Sequence, residues 1–69
     1  MNTTFEVGKT YTDTANGKKY IIDRRTSSNV FFHEIGSTEI LRRKPMNYGF
    51  EILKTVGWLG SITSKDEVA

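Results

Sequence analysis

Seven basic side chains lie between positions 18 and 44: Lys18, Lys19, Arg24, Arg25, Arg42, Arg43 and Lys44. Only Asp23, Glu34 and Glu39 oppose them, so this stretch carries +4 while each flank carries −1, which makes up the net +2 of the 69 residues. A basic surface confined in this way favours anionic partners and speeds their association. Phe31 and Tyr48 are interleaved with the cations. Aromatic rings offer stacking faces to unpaired bases, and arginine and lysine neutralise phosphates, so the set Lys18, Lys19, Arg24, Arg25, Arg42, Arg43, Lys44 and Tyr48 is a candidate surface for nucleic acid or for an acidic protein. The alternative reading makes these cations solvated strand ends that keep a small β protein soluble and its edges unpaired.

Other chemistry finds less support. His33 is the single histidine, and with scattered carboxylates it gives no metal-ligand spacing. Ser27, Ser28 and Ser37 sit in plain turn contexts, so no nucleophile–base pair is indicated. Asp23 and Glu34, on neighbouring strands, could face one another, but strand carboxylates beside arginine more commonly form cross-strand ion pairs. Six glycines are dispersed singly, without a phosphate-cradling spacing, so no nucleotide cofactor and no small-molecule substrate is implied.

The elements that must carry these residues read as β. Asn16-Gly17 marks a turn over Ala15–Lys18 between two β-rich runs, because both residues tolerate positive φ. Strands are expected over residues 9–13, 19–24, 30–35 and 38–43, the last stopped by Pro45, which has no N–H to donate to a ladder. Residues 48–54 alternate as a strand, although a helix reaching Val56 places Phe50, Leu53 and Val56 on one stripe. A tight or 3₁₀ turn at Gly57–Gly60 then leads to a last short strand over 61–64.

Alternation assigns Tyr11, Tyr20, Ile22, Val30, Phe32, Ile40, Phe50, Ile52 and Ile62 to the core. The other side receives Lys19, Ile21, Asp23, Phe31, His33, Leu41 and Leu53, a face too apolar to be wholly solvated. Phe31, Leu41, Leu53 and Trp58 therefore form a candidate protein interface, either for a foreign protein or for a second copy of the chain. Trp58, between Gly57 and Gly60, either plugs the end of the fold or anchors a partner.

One small domain over residues 1–69 is expected, with positions 1–4 and 65–69 frayed. No cysteine is present, which suits a reducing cytoplasm. The first residues show neither a basic start nor an apolar run, and no stretch approaches the length needed to cross a bilayer as a helix, so no membrane association is expected. Five or six short strands with closely spaced turns imply an all-β fold, either a barrel or a strongly rolled antiparallel sheet.

The order Gly8-Lys9-Thr10-Tyr11, Tyr20-Ile21-Ile22-Asp23-Arg24-Arg25-Thr26, Val30-Phe31-Phe32, Arg42-Arg43-Lys44, Gly49-Phe50-Glu51-Ile52 and Ser61-Ile62-Thr63 resembles the small SH3-like β-barrels of bacteria and their phages or mobile elements. The resemblance implies a barrel, and it implies several functions: nucleic-acid binding, peptide or host-protein binding, and a toxin-like ribonuclease. In the last, Arg24, Arg25, Thr26 and His33 would hold and cleave a phosphodiester. The residues themselves favour a non-enzymatic binding module that uses the basic face.

Overall fold

The computed structural model describes residues 4–55 and 60–66. Within them lie seven strands and no helix: β1 (Thr10–Thr12), β2 (Lys19–Arg25), β3 (Val30–Glu34), β4 (Leu41–Arg43), β5 (Met46–Asn47), β6 (Glu51–Lys54) and β7 (Ser61–Thr63). They pair as two antiparallel sheets, a four-stranded meander β1-β2-β3-β4 and a three-stranded meander β5-β6-β7. The sheets are not closed into a barrel, which corrects the closed form of the expected fold. Contact between β1 and β7 and a hydrogen bond from Thr12 N–H to the Asp66 carbonyl (3.1 Å) join them on one side.

The first hairpin differs from a two-residue turn. Gly17 has φ +76°, whereas among the described residues none other than glycine has positive φ, so Asn16 does not take the conformation expected of it. A longer loop forms instead: Asp13 N–H donates to the Lys18 carbonyl (2.7 Å), and Gly17 N–H donates back to the Asp13 carbonyl (2.7 Å). Asp13 is buried, and its carboxylate accepts from the Ala15 N–H (2.9 Å) and from the Thr55 hydroxyl (2.9 Å). A buried carboxylate needs such partners. Here they tie the hairpin of one sheet to the end of β6 in the other.

Between the sheets lies one apolar cluster: Phe5, Tyr11, Tyr20, Ile22, Val30, Phe32, Leu53 and Ile62, with Leu41 packed against it. Edge-on ring contacts join Phe5 to Tyr11 (4.8 Å) and Tyr20 to Phe32 (5.7 Å), an arrangement favoured by the ring quadrupole. Six of the nine residues assigned to the core by alternation are there. Ile40 is exposed and Phe50 and Ile52 are half-buried, whereas Leu53, assigned to the outer face, is fully buried.

The inversion in β6 has a chemical cause. Antiparallel pairing with β5 and β7 makes residues 51–54 a strand, not a helix, and in the observed phase Glu51 points inward beside Leu53. Its carboxylate accepts two guanidinium hydrogen bonds from Arg25 (2.9 and 2.8 Å) and one from the Phe5 N–H (2.7 Å). Arg25 also donates to the Phe5 carbonyl (2.8 Å). The inward carboxylate therefore has a full set of donors, and the N-terminal segment is clamped by both members of one ion pair. Phe5, next to the residues expected to fray, belongs to the core for this reason.

In β4 the phase is also opposite to the alternation. Leu41 turns to the core and Ile40, preceding the strand, is 53 % exposed. The expectation that Leu41 and Leu53 lie on the outer face is corrected by the same packing: both fill the space between the sheets.

Candidate nucleic-acid interface

Each pair of adjacent arginines is split across the four-stranded sheet. In β2 the register jumps between Ile22, opposite Phe32, and Arg24, opposite Phe31, so that Asp23 is the extra residue of a bulge. Uninterrupted alternation from the buried Ile22 would carry Arg24 inward and Arg25 outward. The bulge reverses this, sending Arg24 out to the exposed face and Arg25 in to Glu51. In β4, ordinary alternation does the same: Arg42 faces solvent, and Arg43 turns toward carbonyl oxygens of Arg42 (2.8 Å) and Thr55 (3.5 Å).

The outward members meet across Phe31. Arg24, Phe31 and Arg42 are directly opposite one another on β2, β3 and β4. Val30 and Phe32 on either side of Phe31 are buried, which places the Phe31 ring on the outer face, half-exposed. The Arg24 guanidinium carbon lies 4.5 Å above its centroid, within cation–π range. Among the described residues no carboxylate pairs with Arg24 or Arg42.

Asp23, on this face, is occupied by another partner: its Oδ2 accepts from His33 Nδ1 at 2.7 Å. Glu34, opposite the buried Tyr20 and so in phase with the other face, lies 3.8 Å from Lys18. Asp23 and Glu34 thus do not face one another as a carboxylate pair.

The inner member behaves differently. The Arg25–Glu51 pair holds the Glu51 carboxyl below the usual carboxylate range, chiefly through the guanidinium hydrogen bonds and with the Phe5 N–H adding to them, against an opposing effect of burial. The Arg25 guanidinium is correspondingly pushed up, first by its hydrogen bond to Glu51. Arg25 is therefore a structural cation, committed to the protein.

Of the residues singled out in the sequence, Arg24, Phe31 and Arg42 are brought together, and Lys44 is exposed just beyond β4. Lys19 is exposed at the far end of β2, and Lys18 is held near Glu34. Tyr48 is 69 % exposed at the tip of the β5–β6 hairpin, where Gly49 has φ +84° and its N–H donates to Asn47 Oδ1 (3.0 Å), so it belongs to the other sheet. Leu41 and Leu53 leave the candidate protein interface for the core, and Trp58 with its expected turn lies outside the described residues.

The inward role of Glu51 is marked in the sequence only by an acid standing between two apolar residues, Phe50 and Ile52, in a strand. Among the described residues there is no cluster of three or more potential metal ligands, and no helix is long and apolar enough to cross a membrane. Comparison with known proteins finds no family model, no curated protein and no solved structure that matches the chain.

Proposed function

We propose that the chain is a non-enzymatic nucleic-acid-binding module whose contact surface is the outer face of the four-stranded sheet. The observation that carries the reading is the cross-strand row of Arg24, Phe31 and Arg42, two guanidiniums without acidic partners among the described residues beside a half-exposed ring. Phosphate contacts supply most of the affinity in such binding, and a rigid sheet presents them at fixed spacing. Lys44 extends the cationic surface beyond β4. The expected contact set is smaller than the charge count of the sequence, because Arg25 is held by Glu51 and Phe5 and the half-buried Arg43 donates to backbone carbonyls.

As part of the same proposal, the segment order of the sequence remains the ground for a likeness to small SH3-like proteins, here with the sheets left open. A partner protein or a second copy is the less favoured ligand, since Leu41 and Leu53 have withdrawn from the surface that would hold it.

Fluorescence anisotropy with labelled oligonucleotides at several salt concentrations tests the reading. Three phosphate contacts, by Arg24, Arg42 and Lys44, give a log–log slope of about −2.1 on single strands or about −2.7 on duplex. The double variant R24A/R42A is expected to lose most of the binding and most of the slope. A flat salt titration by the intact protein would overturn the proposal.

A further inference from the structure

We infer that the Arg24–Phe31–Arg42 row takes unpaired bases, so that the ligand of this face is single-stranded nucleic acid and not duplex; the inference rests on the nucleic-acid reading above. Two guanidiniums alone would serve any phosphodiester chain. It is the ring between them, and what lies over it, that discriminates.

Phe31 stands on β3, an interior strand with β2 on one side and β4 on the other. Four strands at the usual spacing span about 14 Å, more than the roughly 12 Å major groove, which admits a helix or a two-stranded ribbon. A ring at this position cannot follow the sheet into a groove. Against a duplex it would meet only sugars and phosphates, and its apolar surface would lose water without gaining a stacking partner. An unpaired strand can instead turn its bases down onto the sheet, where aromatic rings and guanidinium planes are both stacking platforms.

The platform is already assembled. The Arg24 guanidinium lies 4.5 Å over the Phe31 ring, held there with no carboxylate competing for it among the described residues. A base laid on that guanidinium completes a three-layer stack of base, Arg24 and Phe31. Arg42, directly across the ring on β4, is two strand spacings from Arg24, about 10 Å between their Cα atoms. That separation lets Arg24 stack through its guanidinium plane while its N–H edge and Arg42 each reach a phosphate of the same or the next nucleotide. The bulge at Asp23 is what makes this arrangement, since it alone turns Arg24 to the side of Phe31.

The test uses the intact protein with labelled oligo(dT), oligo(U) and a duplex of the same length at one salt concentration, with two variants that leave the charge unchanged. Arg24→Lys keeps the cation and removes the stacking plane; Phe31→Leu keeps an apolar residue and removes the ring. Single strands are expected to bind about tenfold tighter than duplex, and each variant to weaken single-strand binding by about tenfold, the scale of one lost base stack. Duplex affinity and the salt slope should be unchanged in both variants, and thermal unfolding of R24K should match the parent. The two single strands report whether the sugar matters. Equal binding of single strand and duplex, or R24K and F31L binding single strands as tightly as the parent, overturns the inference and leaves the nucleic-acid reading standing. No salt-dependent binding to any of the three overturns that reading itself.

Discussion

Arg24 and Arg25 are adjacent in sequence, identical in type and opposite in employment. Arg24 lies over an aromatic ring on the solvent side of the sheet, and Arg25 is held bidentately by a buried carboxylate on the other side while also gripping the backbone of Phe5. Arg42 and Arg43 repeat the division on β4. In a strand, successive side chains point to opposite faces, so a basic dipeptide contributes one surface cation, not two. Which one is surface is a matter of phase, and in β2 the phase is set by a single inserted residue.

The comparison breaks most severely if the inner arginine is removed. Arg25→Ala leaves the Glu51 carboxylate buried with the Phe5 N–H but without its cation. Separating a buried acid from its partner costs roughly 3–5 kcal/mol, a large part of the stability available to a small domain. The variant should be largely unfolded at 25 °C by circular dichroism. Cooperative melting at the parental temperature would show that the inner arginine does not hold the fold.

Glu51→Gln tests the inner half with less disturbance. The amide keeps the shape and one acceptor for the Phe5 N–H, but leaves the Arg25 guanidinium without its charge partner. Because Arg25 is partly solvated, at 30 % side-chain exposure, a loss of about 2 kcal/mol is expected, below the full cost of a stranded buried charge. Urea denaturation measures it.

A pH titration of stability sharpens the same point. The Glu51 carboxyl is lowered in the folded protein, chiefly by its hydrogen bonds from Arg25. A group with a depressed folded pKa stabilises the fold above its unfolded value, near 4.3, and that contribution is lost as pH falls through the folded value. The parent should therefore lose stability on acidification below about pH 4.3 more steeply than Glu51→Gln, which lacks this titration. Parallel acid limbs for the two proteins would assign the acid sensitivity to other carboxylates.

The legibility of this molecule from its sequence divides along the same line. The β class, the strands around Tyr20–Ile22 and Val30–Phe32, and six core residues follow from alternation and turn chemistry, because both are local properties. The inward Glu51 is not local: its environment depends on Arg25, 26 positions earlier, and on the Phe5 backbone, 46 positions earlier. The bulge is likewise invisible to a period-two reading, which has no term for an extra residue. One missed bulge reversed the roles of two arginines, and one buried acid reversed the faces of β6. The seven-cation cluster of the sequence is, on the folded chain, a much narrower row.

Arg42→Ala is the mildest change and the most discriminating for the outer half. Arg42 is exposed, has no acidic partner among the described residues, and stands across from Phe31, which Arg24 already covers. Substitution away from core, caps and networks changes stability by no more than about 0.5 kcal/mol. Binding should respond nonetheless: losing one phosphate contact shallows the single-strand salt slope by about 0.7. The pairing of an unchanged melting temperature with a shallower slope is what separates Arg42 from Arg25, for which the fold itself is the first casualty. If Arg42→Ala instead lowered stability as much as Glu51→Gln, the outer arginines would be structural like the inner ones, and the division between the two faces would be lost.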